Sequence, residues 1–463
     1  MADLDLAVLG GGPGGYTAAI RAAQLGMRVA LVEREQLGGV CGNWGCIPSK
    51  AIISSAAAYD RARNGAALGI RGDGVGFDYP QVVANSRAAA DRMARGVASL
   101  MKKHAIEVIA GEGRLGRDGR LVVRQADGER PVAARRVMLA VGSGEKLLPG
   151  MAISPPWVVT SRELLAETSL PASIAIVGGG AIGVEFGYVL GAFGVQVTIL
   201  EMQDQLLPGV EPEVARELAR SFRRRKIAVR TGCAFRGMAV GEGGVRIEAE
   251  EKGKPVAIEA ERCLVAVGRA PRTARLGVED AGIALERGYV AVNERYESSI
   301  PHVLAIGDAI DTPALAHVAA AEGVAAVEIA SGRRDPGWID YRRIPACVYS
   351  HPEVATVGLT EEKAREAGHD VRVGVAPFRA LGRAVAGGET EGIVKIVSEA
   401  RHGEILGGHV CGAEATELVA EIALAMSLEG TVEDLGRTVH AHPTFSETVM
   451  EAALAVVGES ISL

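Results

Sequence analysis

Cys41 and Cys46 stand five positions apart in Gly-Gly-Val-Cys-Gly-Asn-Trp-Gly-Cys-Ile-Pro-Ser-Lys, residues 38–50. Two thiols this close, directly after a glycine-rich start, point to a pair that exchanges electrons with a bound cofactor. A regular helix cannot join them. Five residues at about 100° each turn the side chains roughly 140° apart, with about 1.5 Å of rise per residue. A disulfide needs its Cα atoms within about 7 Å and converging Cβ vectors. Cys41 is therefore expected on a turn or distorted segment that folds back toward Cys46. A bond held in that forced geometry is more reducible than a structural one. Two other readings stay open at this point: a pair of buried thiols, and half of a zinc site. Zinc pairs usually have shorter spacing and need a second pair; the sequence offers none. Pro48 suits a first helical turn. That would put Cys46 at a helix N-terminus, where the dipole favours the thiolate, the reactive form.

The elements that must position such a pair are written twice in the chain. Leu6-Ala-Val-Leu precedes Gly10-Gly-Gly12-Pro-Gly-Gly15, and Ile174-Ala-Ile-Val precedes Gly178-Gly-Gly180-Ala-Ile182-Gly183. Each reads as a short apolar strand, a tight turn and a helix. Each continues to a second apolar strand, 29–32 and 197–200, that ends in a carboxylate, Glu33 and Glu201. The spacing from first glycine to carboxylate is 23 in both. The first glycine makes the turn, the second lets backbone approach a pyrophosphate, and the third lets helix pack on strand. The helix N-terminus offers N–H groups and a positive dipole end to phosphates, and the acid takes the ribose hydroxyls. Two tight strand–helix turns with no ligand would leave both acids without a purpose. Two dinucleotides follow, most simply FAD and a nicotinamide. The thiols adjoin the first site, so the first is expected to hold FAD and the second the nicotinamide. Glu201 would repel a 2′-phosphate, and 202–209 contain no arginine to receive one, so NAD is expected rather than NADP.

Size and composition narrow the class. A chain of 463 residues is too long for one core, so two or three domains are expected. A net charge of −7 gives no basic footprint for nucleic acid. Six cysteines in this length are no disulfide scaffold; Cys233, Cys263, Cys347 and Cys411 are scattered and expected as small buried apolar residues. Residues 173–200 are apolar enough to raise a membrane question. However, they contain Gly178, Gly180 and Glu185, and read as strand, turn, helix and strand. The chain runs almost straight from Met1 into the strand-like run Leu4–Leu9, with Asp3 and Asp5 and no basic stretch, so no secretory signal is expected and the cytoplasm is the default.

Taken together, these residues resemble the class I pyridine nucleotide–disulfide oxidoreductases, and within them the branch that oxidises protein-bound dihydrolipoamide with NAD. The resemblance covers nearly the whole chain. Residues 12–26 are similar to that family's start, and 38–50 to its redox motif. Ala305-Ile-Gly-Asp308-Ala resembles its second FAD motif, and Ala314-Leu-Ala316-His its segment beside the flavin ring. Val267-Gly268-Arg269 resembles the turn closing its NAD domain. Tyr349-Ser-His-Pro-Glu-Val354 and, more loosely, 407–418 resemble its interface domain. The implied fold is α/β, with two Rossmann-like domains and a C-terminal α+β dimerisation domain. The implied boundaries are 1–149 with 270–341 for FAD, 150–269 for NAD and 342–463 for dimerisation. The FAD contacts implied are Gly10, Gly12, Gly15, Glu33, Lys50, Gly113, Ser143, Asp308 and Ala316. Those for NAD are Gly178, Gly180, Ile182, Gly183, Glu201, Val267, Gly268 and Arg269. Lys50 and Glu185 match the family's ion pair near the flavin.

The most discriminating piece is His440-Ala-His-Pro-Thr-Phe-Ser-Glu447. In the family the histidine before proline is the base and the glutamate orients it, here His442 and Glu447. Pro443 favours an extended conformation at His442. Thr444 and Glu447 also fit a capping box for a helix over 447–457. His440 has no such support and reads as structural. The resemblance further implies a homodimer in which His442 serves Cys41 of the partner chain. Cys41 would face the dithiol and Cys46 the flavin, and lipoyl domains of an acyltransferase or a glycine-cleavage carrier protein would be the partners. No metal is expected. A valine at 141, where the family usually has threonine, and the unusual stretch 144–156 depart from the pattern; Trp44 also stands where most relatives differ. Glutathione-type reductases share the cysteine motif but use NADPH. Mercuric reductases carry a C-terminal cysteine pair absent from this sequence. A diaphorase passing electrons from NADH to quinones or dyes, and a flavin-bound scaffold without disulfide turnover, are the other readings.

Overall fold

The computed structural model describes residues 4–71, 74–274 and 276–463; Asp3 lies outside them. The chain divides into two compact units. The first comprises Met1–Ala51, Gln81–Lys146 and Gly268–Tyr341, the second Ile52–Pro80, Leu147–Val267 and Arg342–Leu463.

In the first unit a parallel sheet is built on β1 (Leu4–Leu9). It is flanked on one side by β2 (Val29–Glu33) and β3 (Glu107–Ala110), and on the other by the strands Ala134–Leu139 and Val303–Ala305. Leu6, Ala7, Val8 and Leu9 are all buried, as are Val29, Ala30, Leu31 and Val32. Such unbroken apolar strands are what a sheet covered on both faces requires. Helix α1 (Pro13–Gln24) presents Gly14, Gly15, Ala18, Ala19 and Ala22 inward. These small side chains let it approach the helix Ala316–Ala330 closely: a Cβ on Gly323 would meet the Gly14 carbonyl oxygen at 2.6 Å. Three further strands, Glu112–Leu115, Leu121–Gln125 and Gly128–Val132, form an antiparallel sheet.

The second unit repeats the theme. Strands Ser173–Val177, Gln196–Glu201, Ala228–Thr231, Arg262–Val265 and Val158–Val159 form a parallel sheet with the helix Ala181–Ala192. Residues 173–200 are thus strand, turn, helix and strand, and among the described residues no helix is long and apolar enough to cross a membrane. The C-terminal part is a five-stranded antiparallel sheet of Ala346–Val348, Glu353–Gly358, Ile405–Gly412, Ile393–Glu399 and Val371–Pro377. Helices Ala415–Ser427 and Glu447–Val457 pack on it through Leu418, Val419, Ile422, Val449, Ala452 and Ala453. The architecture is two Rossmann-like layers plus an α+β domain. Cys233, Cys263 and Cys411 are buried, and burial pushes the Cys263 thiol up to about 12. Cys347 departs from expectation: it is half-buried, its strand lying at the edge of the C-terminal sheet.

Candidate functional site

The two thiols are placed by a helix that breaks. Helix α2 (Gly39–Trp44) carries Cys41, and helix α3 (Cys46–Arg63) begins at Cys46. Gly45 between them has φ −149° and ψ −111°, outside any helical region. The break cancels the angular divergence that a continuous helix would impose. The Cys41 and Cys46 thiols form a hydrogen bond. That contact first, then burial and a negative charge on Cys46, push the Cys41 thiol well above its ordinary value, while the Lys50 ammonium pulls it down. The pair therefore ionises as a unit and holds one charge more readily than two. Cys46 sits in the first turn of α3, where the Ser49 N–H already bonds the Gly45 carbonyl at 3.0 Å. The helix dipole favours a thiolate there.

The glycine loops fit a dinucleotide. Gly10 and Gly178 have φ of +108° and +113°, a region that suits glycine. A Cβ on Gly15 would lie 1.8 Å from the Gly10 carbonyl oxygen, and one on Gly183 2.0 Å from that of Gly178. Helix must touch strand at those points. Gly180 is different: a Cβ there would meet nothing within 4 Å, and no side chain caps the helix that follows. Gly12 likewise begins α1 without a side-chain cap. Backbone donors at an uncapped helix start, beside open space, are what a pyrophosphate needs. Ile182 lies in that second helix, half-buried.

The two acids already have partners. Glu33 accepts from the Gly11 N–H at 2.7 Å, and Glu201 from the Gly179 N–H at 2.7 Å. Each also accepts from a backbone N–H two residues on, Glu35 and Gln203 at 2.8 Å. Bracing the middle glycine of its own loop thus gives each acid a purpose even without a ribose, which the sequence reading had denied. If Glu201 also receives a ribose, Glu201→Ala with an arginine introduced at Gln203 is expected to shift the ratio of NADP to NAD use upward by at least tenfold. Steady-state rates with both nucleotides measure it, and an unchanged ratio would remove Glu201 from the ribose.

Ser143, Asp308 and Arg269 are brought together in the first unit. The Ser143 hydroxyl donates to the Asp308 carboxylate, while Arg269 Nε donates to Ser143 Oγ and its Nη2 to the Ser143 carbonyl, both at 2.7 Å. Arg269, expected to contact NAD, bonds Ser143, a residue expected for FAD. The reason is pairing: strand Arg269–Pro271 runs antiparallel to Ser143–Glu145. Gly268 belongs to the same unit and Val267 ends a segment of the second. Sequence reading missed Glu322. Fully buried, it accepts from the Gly307 N–H at 2.6 Å and from the Tyr341 hydroxyl at 2.8 Å, fixing the turn that carries Asp308. Burial, ahead of its hydrogen bonds, holds its carboxyl above the usual range. Ala316 opens the helix Ala316–Ala330. Gly113 lies in the strand Glu112–Leu115, with Leu9 filling the space beside it. Lys50 faces Cys41 in the first unit; Glu185 lies in the second, buried, and accepts the Tyr349 N–H at 3.0 Å.

His442 and Glu447 form a dyad in the second unit. His442 Nδ1 lies 2.8 Å from Glu447 Oε1. A carboxylate only accepts, so Nδ1 carries a proton, and in the neutral ring this tautomer leaves the lone pair on Nε2. The His442 side chain is 75% exposed, open to an incoming group. Burial opposes the charge on Glu447, but hydrogen bonds from His442 and from the Thr444 N–H at 2.8 Å hold its carboxyl below the usual range. The expected capping box is only half present. Ser446 precedes the helix Glu447–Val457, and the Thr444 hydroxyl turns to the Ala441 carbonyl at 2.7 Å. Glu447 sits at the first helical position and not the third, which leaves its carboxylate directed to His442. His440 is anchored at both ring nitrogens, Nδ1 to the Thr438 carbonyl at 2.7 Å and Nε2 to Glu421 at 2.6 Å. Both partners are acceptors, an arrangement that favours the protonated ring, and the Glu421 bond raises its pKa.

Among the described residues, the one carboxylate group spaced for a metal is Glu211, Glu213 and Glu361. Its centre is filled by the Lys395 ammonium at 2.9, 2.9 and 2.7 Å.

The family described as "Pyridine nucleotide-disulphide oxidoreductase" matches residues 4–323, and its dimerisation domain matches residues 344–453. Dihydrolipoyl dehydrogenase of Bacillus subtilis is 41% identical over 99% of both chains. That of Chlorobaculum tepidum is 44% identical over 98% of this chain and 97% of its own. Among solved structures, LpdA from Mycobacterium tuberculosis superposes with a TM-score of 0.89 at 29% identity, covering 97% of this chain and 99% of that one.

Proposed function

The chain belongs to the pyridine nucleotide-disulphide oxidoreductase family, and from that premise we propose that it oxidises the dihydrolipoamide of lipoyl domains to lipoamide, reducing NAD+ to NADH and releasing one proton. FAD and NAD are its cofactors, and it is a homodimer. When bound, FAD supplies a two-electron relay between the thiol pair and NAD+. The carrying observation is the hydrogen-bonded pair Cys41 and Cys46 at the Gly45 break, with Cys46 at a helix start.

In the oxidised pair, a substrate thiolate attacks Cys41 Sγ, the Cys41–Cys46 bond breaks, and Cys46 leaves as a thiolate favoured by the α3 dipole. The second substrate sulfur then displaces Cys41, closing lipoamide. His442 Nε2 takes the proton of the attacking substrate thiol and passes it to solvent as the one proton released, while the proton of the second substrate thiol goes to Cys41 as it leaves; Glu447 fixes the tautomer. The family organisation supports the partner subunit's His442 as the base for this chain's Cys41. The first glycine loop, with Glu33, Ser143 and Asp308, holds FAD, and the second, with Glu201, holds NAD. The lipoyl carriers would belong to acyltransferases of 2-oxo acid dehydrogenase complexes or to the glycine cleavage system, in the cytoplasm.

The test compares substrates on the purified holoenzyme. Dihydrolipoamide with NAD+ is expected to turn over at least about 100-fold faster than reduced glutathione or than NADP+. Equal rates with glutathione would overturn the reading.

A further inference from the structure

Trp44 and the helix α4 (Tyr79–Lys103) stand outside the chemistry so far, yet α4 touches the cysteine loop twice from consecutive residues. Ser86, fully buried, donates to the Pro48 carbonyl at 3.1 Å, just past Cys46. Arg87 Nη1 donates to the Asn43 carbonyl at 2.6 Å, between the two cysteines. The Arg87 guanidinium also lies over the Trp44 ring, 4.2 Å from its centroid. Asn43 is itself pinned from inside the loop, its Nδ2 donating to the Leu37 and Gly39 carbonyls at 3.0 Å.

These contacts answer a need the break creates. Ending α2 at Trp44 leaves its last carbonyls without helical donors, and Arg87 supplies one to Asn43. Gly45 is the flexible point between the thiols, and glycine offers little resistance to reorientation. Something else must hold α2 against α3. A planar guanidinium that stacks on an indole while donating to a carbonyl is a rigid tie, worth more than a lysine could give there.

We infer that Ser86 and Arg87 are positioning residues for the redox pair: from neighbouring places on α4 they hold the chain on both sides of the Gly45 break and so set the approach of the Cys41 and Cys46 sulfurs. Trp44 is the surface on which Arg87 is oriented. Holding two sulfurs together raises their effective concentration, which favours the disulfide over the dithiol. Loosening the splint makes the pair easier to reduce to two thiols by an external dithiol, and slows Cys46 in resolving a mixed disulfide on Cys41.

This inference rests on Cys41 and Cys46 being the redox pair. The holoenzyme is equilibrated without oxygen against graded ratios of reduced to oxidised dithiothreitol, quenched in acid and alkylated, and the thiols at Cys41 and Cys46 are counted by mass spectrometry. Arg87→Met is expected to move the midpoint ratio about fivefold toward the dithiol, the loss of roughly one buried hydrogen bond. Ser86→Ala should move it the same way by a smaller factor, and the two together by more than either. A purely structural role would lower FAD content or melting temperature without moving this midpoint. An unmoved midpoint, or one moved toward the disulfide, in either variant that retains FAD overturns the inference. Should Arg87→Met fail to fold, Ser86→Ala decides alone. If the wild type forms no Cys41–Cys46 disulfide at any ratio, the redox-pair reading itself fails.

Discussion

Cys41→Ser is expected to lose dihydrolipoamide oxidation almost entirely, to below about one thousandth of the wild-type rate, while NADH-driven dye reduction stays within about twofold of it. The loss of lipoamide turnover follows because a hydroxyl at position 41 forms no disulfide with Cys46, so the oxidised pair that the substrate thiolate attacks never forms. The retention follows because dye reduction needs FAD and NAD but no thiol. Glycine loops, Glu33, Glu201 and the Ser143–Asp308 contact are untouched by the change. Cys41 is half-buried beside Cys46 and Lys50, and a serine is smaller, so folding is little affected. Parallel assays with lipoamide and a dye on one preparation separate the two activities. Survival of more than a tenth of lipoamide turnover would mean the disulfide is not on the path. Loss of both activities together with FAD would mean the site was disrupted and not tested.

His442→Gln is expected to lower kcat for dihydrolipoamide by about 10²–10⁴, the usual worth of a positioned base. FAD content and melting temperature should hold, because the side chain is largely exposed and packs little. The loss should shrink as pH rises, since substrate thiols ionise unaided in alkali near their own pKa of about 8.5. Glu447→Gln should lower the rate less and in the same pH direction, because an amide can still accept from Nδ1–H but no longer balances the imidazolium. A pH–rate profile of each variant measures this. A His442→Gln enzyme with the wild-type rate near neutral pH would place the base elsewhere.

What could be read from the sequence was what is written locally. The two glycine loops depend on backbone contacts a few residues apart, at Gly10 with Gly15 and at Gly178 with Gly183, so the sequence pattern carries them. The Cys41–Cys46 spacing excluded one regular helix, and Gly45 breaks it; but Cys41, expected on a turn or distorted segment, lies in a short helix of its own. What escaped is long-range. Ser86 and Arg87 lie on a helix whose sequence carries no motif, some 40 residues from the loop they hold. Glu322 looks like any helical glutamate until its carboxylate is found under Gly307. The bond of Arg269 to Ser143 depends on strand pairing with 143–145, which is invisible in one sequence. The acids Glu33 and Glu201 were recognised by spacing, but their bond to the middle glycine was not, since the same spacing serves either use.

The central claim is that Cys46 is the thiolate facing flavin while Cys41 faces substrate. Its most direct measurement is the absorption spectrum during anaerobic reduction with two electrons' worth of dihydrolipoamide. A long-wavelength thiolate-to-flavin charge-transfer band is expected in the wild type and in Cys41→Ser, and its absence in Cys46→Ser. A Cys46→Ser protein that keeps the band, or a Cys41→Ser protein that lacks it with FAD still bound, would contradict the account.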